Sequence, residues 1–274
     1  MPNHLRPARP PRRSARGPWL ALTLAAALAL GGCVTDRGPN GVVATALPAS
    51  PSDLRAYAAD WGRRNQADPN DTKAALNYGR ALRALTQYAQ ATAVLEAAAI
   101  KHPYDMQVLG AYGKALSESG RLKEAADVLA RSHTPEHPDW SILSAQGMVA
   151  EQLGDHSAAL GYYEAALKIN PDEPTVLSNL GLSYALAKDL PSAEATMQRA
   201  AASERADMRV RQNYSLVLAL DGKFAEAEAV ARRDLSASDA AASIAAVRAM
   251  IARSETWRPV SRAKPAVARG RPST

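Results

Sequence analysis

The stretch Leu177-Ser178-Asn179-Leu180-Gly181-Leu182-Ser183-Tyr184-Ala185 decides how this chain is read. Leu177, Leu180, Gly181 and Tyr184 share one face of a helix, which marks that face as core. Steps of 34 residues from Gly181 land on Gly147, Gly113 and Gly79 in one direction and on Ser215 in the other. A second series keeps the same step without a break: Ala91, Ala125, Ala159, Ala193 and Ala227. A third, Leu95, Leu129, Tyr163, Met197 and Ala231, holds a large apolar residue in four of its five places. Series in register at one period indicate a stacked repeat rather than a single globular core.

Each unit reads as two antiparallel helices. Small residues recur where one helix backbone presses on the next, as Leu143, Gly147 and Ala150 illustrate on one face of the third unit. Gly120, Gly154 and Gly222 fall where the first helix must stop, a place suited to a left-handed residue. Pro103 and Pro171 lie between units, where a missing N–H interrupts no helix. His137 and Arg205 stand in place of that proline, and Asp234 replaces a small residue in the last unit, which reads as degenerate.

These residues resemble the tetratricopeptide pattern, with five units over about residues 72–240. The resemblance implies an all-α fold, a right-handed superhelical solenoid of helix pairs spanning 53–257. Asp53 to Asn65, with Tyr57 and Trp61 on one side, is expected to cap the N-terminal end. Asp239 to Arg253, with Ile244, Val247 and Ile251 at helical spacing, is expected to cover the other end.

Ahead of the repeats, residues 1–32 hold five arginines and no acid: the arginines all fall in the Pro-rich stretch from Met1 to Gly17, and an apolar run from Trp19 to Leu30, interrupted by Thr23, comes after it. That run is too short for a transmembrane helix of about 20 residues and reads as a secretory signal. Leu30-Gly31-Gly32-Cys33 resembles a bacterial lipobox. The resemblance implies cleavage before Cys33, diacylglycerol on its thiol and an acyl chain on its new amino group. Val34 and Thr35 after the cysteine imply delivery to the outer membrane, facing the periplasm. Cys33 is the only cysteine, so no disulfide is available. Residues 33–52 read as a flexible tether.

A net charge of +6 invites a nucleic-acid reading, but the excess sits at the ends. Removing the arginines of the leader and the bases of residues 258–274 (Arg258, Arg262, Lys264, Arg269, Arg271) leaves more acid than base in the body. With no basic stripe, phosphate-backbone binding is not expected. The Pro- and Arg-rich residues 258–274 show no periodicity and read as a disordered tail.

No nucleophile elbow or phosphate-binding glycine loop is present, and no catalytic residue, cofactor or metal is expected. His133 and His137 have the spacing of a helical metal pair, but Pro135 between them places both in a loop. The candidate function is a groove along the first helices. Asn77, Asn179 and Asn213 share one repeat position, and Lys73, Arg80, Lys114 and Arg209 lie at others that would face it. In peptide-binding tetratricopeptide proteins an asparagine there binds a partner's backbone or carboxylate, and the cations would pair with an acidic partner.

The C-terminal part is more discriminating. Val210-Arg211-Gln212-Asn213, Gly222-Lys223-Phe224-Ala225-Glu226-Ala227-Glu228, Asp234-Leu235 and Ala240-Ala241-Ala242 are similar to the tetratricopeptide lipoproteins of the tight-adherence (Flp) pilus system, the TadD-like family. That resemblance implies a non-enzymatic, membrane-anchored scaffold that helps place or assemble the pilus secretin by binding it or a neighbouring pilus subunit. Outer-membrane protein assembly, a type IV pilus pilotin, or a scaffold for peptidoglycan enzymes share the same anchor and repeats.

Overall fold

The computed structural model describes residues 46–253. The signal, Cys33, most of the expected tether and the basic tail lie outside the described residues. Within them the chain forms twelve helices and no strand. A lone helix, α1 (Pro51–Ala67), is followed by five pairs: α2 (Thr72–Ala84) with α3 (Tyr88–Lys101), α4 (Met106–Glu118) with α5 (Leu122–Ala130), α6 (Trp140–Leu153) with α7 (His156–Ile169), α8 (Pro174–Leu186) with α9 (Leu190–Ala202), and α10 (Met208–Leu220) with α11 (Phe224–Ala231). A last helix, α12, spans Ala237–Arg253.

The first helices start at a side-chain cap that is itself periodic. Asp71, Asp105, Asp139 and Asp207 each accept a hydrogen bond from backbone N–H groups of the first turn. Such a cap contributes about 1 kcal/mol by satisfying an N–H the helix leaves open. In the fourth unit Glu173 makes no capping bond, and Pro174 begins the helix instead, where a missing N–H costs nothing.

The first helices also end alike. Gly120, Gly154 and Gly222 take positive φ values of 82°, 85° and 79°. The equivalent residues of the other two units are not glycine, yet Thr86 and Lys188 adopt φ of 60° and 64°. All five units close with the same backbone bond across that residue. Gln87 donates to the Leu82 carbonyl at 2.8 Å, and Arg121, Asp155, Asp189 and Lys223 donate to Leu116, Ala150, Tyr184 and Leu218 at 2.9 Å. Pairing of the two helices imposes the turn even where the side chain resists it.

Close approach explains the small residues. A Cβ on Gly79, Gly113, Gly147 or Gly181 would lie 2.5–2.8 Å from a side-chain carbon of Leu95, Leu129, Tyr163 or Met197, respectively. Ser215 tolerates its extra atoms because its hydroxyl donates to the carbonyl of Ala227 at 2.8 Å. The five alanines of the second series are wholly buried.

The expected caps are half-repeats in register. α1 ends at Ala67, 34 residues before Lys101 closes α3, so it stands as the second helix of an incomplete unit. It begins two residues earlier than the sequence pattern suggested, because Ser50 caps it by accepting from Asp53 N and Pro51 suits its first turn. The last residues of the expected tether are therefore helical. At the other end Ile244 continues a buried series formed by Ala74, Val108, Ile142, Val176 and Val210, which makes α12 the first helix of a sixth unit.

Asp234, read above as a sign of degeneracy, is compensated. Arg211 Nε and Nη2 donate to its two carboxylate oxygens at 2.7 and 2.6 Å. The places these two occupy in earlier units hold Leu177 and Ala200, so an ion pair substitutes for an apolar contact.

Candidate peptide-binding groove

The curvature follows from which helices touch. Each first helix packs on the first helix of the next unit, from α2 against α4 through to α10 against α12. Among the described residues no second helix reaches the next second helix. Spacing is therefore tighter on the first-helix side, and the stack bends towards it. The inner face is built from α2, α4, α6, α8 and α10.

The three asparagines share a repeat position but not a set of partners. Asn77 Oδ1 accepts from the Tyr57 hydroxyl at 2.8 Å, and its Nδ2 donates to the Lys73 carbonyl at 2.8 Å. Its amide thus ties α1 to α2. Asn213 Nδ2 donates to Ser178 Oγ at 3.0 Å, linking α10 to α8. Asn179 Nδ2 is buried without a hydrogen-bond partner, and so is Arg209 Nε. Asn179 adjoins Ser178 on α8, and Arg209 lies one turn before Asn213 on α10, so the Ser178–Asn213 bond brings these two unsatisfied donors onto adjoining helices.

Among the other cations, Lys114 Nζ donates to Ser141 Oγ at 3.0 Å, and that hydroxyl donates to Asp139 Oδ1 at 2.6 Å. Lys73 is exposed on the first turn of α2, and Arg80 is half-buried two turns further along. Arg83, which the sequence reading did not single out, donates from Nε and Nη2 to the Glu118 carboxylate, both at 2.7 Å. This pair joins the C-terminal ends of α2 and α4. A basic residue near the end of one first helix with an acid near the end of the next is the signal that could have found it.

Further along, Glu151 near the end of α6 accepts from Ser183 Oγ of α8 at 2.6 Å and also pairs with His156. Burial, with the Glu151 charge as a lesser cause, pushes the Tyr163 phenol well above its ordinary pKa. His133 Nε2 sits 3.0 Å from Gln146 Oε1. Among the described residues no group of three or more His, Cys, Asp or Glu could hold a metal, and no helix is long and apolar enough to cross a membrane.

The tetratricopeptide repeat family model matches residues 76–139 and 144–209. No curated protein matches the sequence. Among solved structures, the APC/C hetero-tetramer Cut9-Hcn1 is similar over 72% of this chain at 14% identity and a TM-score of 0.60, and the chain spans 40% of that one. A thermophilic TPR protein of Thermus thermophilus is similar over 64% of this chain and 97% of its own at 23% identity, with a TM-score of 0.56. PilW, a widely conserved type IV pilus biogenesis factor, is similar over 74% of this chain and 89% of its own at 19% identity, with a TM-score of 0.54. The repeat matches, the shared helix-pair geometry and the register of α1 and α12 identify the described chain as a tetratricopeptide-repeat solenoid, with five complete pairs between two half-repeats.

Proposed function

We propose that this protein is a membrane-anchored adaptor in assembly of a tight-adherence (Flp) pilus, holding the secretin or a neighbouring pilus subunit in the groove of its first helices. The observation that carries the adaptor role is the continuous inner face from α2 to α10, on which Asn179 Nδ2 and Arg209 Nε lack acceptors within the protein. Buried donors left unpaired cost roughly 1–3 kcal/mol each, so a partner that supplies oxygen acceptors recovers that loss. The likeness of residues 205–251 to tight-adherence lipoproteins supports the pilus assignment, as does the fold shared with a type IV pilus biogenesis factor.

Anchoring rests on Leu30-Gly31-Gly32-Cys33. Lipidation of Cys33 would hold the protein on the outer membrane facing the periplasm, where several acyl chains at about 0.8 kcal/mol per buried methylene make a stable anchor. Confinement at the membrane raises effective concentration, so modest contacts along the groove suffice. The adaptor would act without catalysis.

The test is crosslinking and capture of the native protein from membranes, with the captured proteins identified by mass spectrometry. A pilus secretin crosslinked to α8 or α10 supports the assignment. Capture of barrel-assembly components or cell-wall enzymes in its place leaves the scaffold but overturns the pilus role.

A further inference from the structure

One strip of the groove changes chemistry along its length. The residue two turns into each first helix runs Arg80, Lys114, Met148, Leu182, Leu216 at steps of 34. The first two are cationic and the last three aliphatic. Each is only half-buried, so each offers surface on the inner face. Leu186, one turn beyond Leu182, widens the apolar end and is 51% exposed. At the cationic end the nearby carboxylate of Glu118 is engaged by Arg83, which limits its repulsion of an incoming acid. The polar edge of the groove follows a different course. Asn179 Nδ2 on α8 and Arg209 Nε on α10, both without acceptors, lie on the helices of the apolar end.

We infer that the groove selects a partner segment in a fixed direction: an extended chain whose acidic residue rests on Arg80 and Lys114 and whose aliphatic or aromatic residues rest on Leu182 and Leu216. This rests on the adaptor reading and adds to it the chemistry and polarity of the ligand. The donors on the helices of the apolar end take the backbone carbonyls of the segment, because side chains that suit leucine offer them no acceptor. The spacing is set by helix packing. Adjacent helices stand about 8–10 Å apart, so Lys114 and Leu182, two first helices apart, are separated by about 16–20 Å. An extended chain covers that distance in about five or six residues. The acid steers and orders the segment, while apolar burial supplies affinity.

The experiment is selection of a displayed library of random twelve-residue peptides on the full chain purified in detergent, followed by binding of the enriched peptides, fluorescently labelled, to variants. The expected outcome is enrichment of Asp or Glu about five or six residues from Leu, Ile, Phe or Met. Reversing the cations with Arg80→Glu and Lys114→Glu then weakens binding about tenfold and flattens its salt dependence. Leu216→Gln weakens it about tenfold with the salt dependence kept. Leu186→Gln, at a more exposed site where folding is not at stake, weakens it about threefold. Enrichment without an acid, no enrichment, or equal binding by all three variants overturns the inference. Secretin assembly read in cells separates the two claims. If the Leu216→Gln and Leu186→Gln proteins support assembly fully while the deletion does not, the directional ligand is wrong and the pilus role stands. If the selected peptides behave as expected but the deletion leaves the secretin intact, the pilus role fails and the ligand chemistry stands.

Discussion

Arg211 and Asp234 meet through two parallel hydrogen bonds, one from Nε and one from Nη2, across the packed ends of the last helix pair. The pair is partly shielded, with side-chain exposures of 22% and 10%. Arg211→Leu alone strands the carboxylate and is expected to cost about 2 kcal/mol, below the range for a fully buried pair because water still reaches this one. The double change Arg211→Leu with Asp234→Ala restores the apolar pairing of Leu177 with Ala200 and is expected to recover most of the loss. Urea midpoints of the three proteins check this, and equal stability of the single and double variants would refute it.

The same pair predicts an acid response. The Arg211 hydrogen bond, opposed in part by desolvation, holds the Asp234 carboxyl below the ordinary aspartate range. A depressed folded pKa gives stability that is full above the unfolded value, near 3.9, and is lost as pH falls through the folded value. Asp234→Asn removes this contribution, so its deficit relative to the parent should shrink below about pH 4. Thermal melts across that window read the difference, and a deficit independent of pH would contradict the assignment.

Two glycines in one helix pair should respond in opposite directions. Gly147→Ala puts a methyl 2.5 Å from Tyr163 Cε1, and Tyr163 is locked in the core. The expected loss is about 1–3 kcal/mol. Gly161, inside α7, has nothing within 4 Å of an added Cβ. Gly161→Ala should gain about 0.5–1 kcal/mol from helix propensity. Denaturant unfolding of both proteins provides the comparison.

Thr86 and Lys188 hold left-handed backbone without being glycine. Replacing either by Gly should stabilise the chain by about 1 kcal/mol, because the strain of a side chain at positive φ is relieved. A β-branched residue is the worse tenant, so Thr86→Gly should gain more than Lys188→Gly. A loss at either site would show that the hydroxyl bond from Thr86 Oγ1 to the Leu85 carbonyl, 2.7 Å, or an equivalent side-chain contact, outweighs the strain.

Anchor and groove should separate genetically. Cys33→Ser is expected to leave the melting temperature unchanged and release the protein from the outer membrane on fractionation, since Cys33 precedes the first helix of the repeats in the sequence. Asn179→Ala should weaken partner capture with little change in melting, whereas adding Asn213→Ala should weaken capture further and also lower the melting temperature, because Asn213 is bonded to Ser178 of α8. Asn77→Ala should act mainly on stability, because Asn77 is bonded to Tyr57 and to the backbone. Full capture by the Asn179 and Asn213 double variant would remove these amides from the binding face.

The period, the helix pairs and the placement of the small residues were determined by sequence alone, because every unit buries the same positions and close packing leaves one size of residue at each. Gly147 and Ala159 report a contact wherever they occur in the pattern. The capping series Asp71, Asp105, Asp139 and Asp207 was present in the sequence too, but aspartate in a polar loop resembles any solvated residue until its side chain is seen to meet open N–H groups. Tertiary structure alone decided the rest. Left-handed turns at Thr86 and Lys188 are imposed by the packing of two helices and leave no mark in the side chain. Asn77, Asn179 and Asn213 are identical in sequence position yet differ in what they can bind, because a hydrogen bond depends on the neighbouring unit: Tyr57 for one, Ser178 for another, and no acceptor for the third.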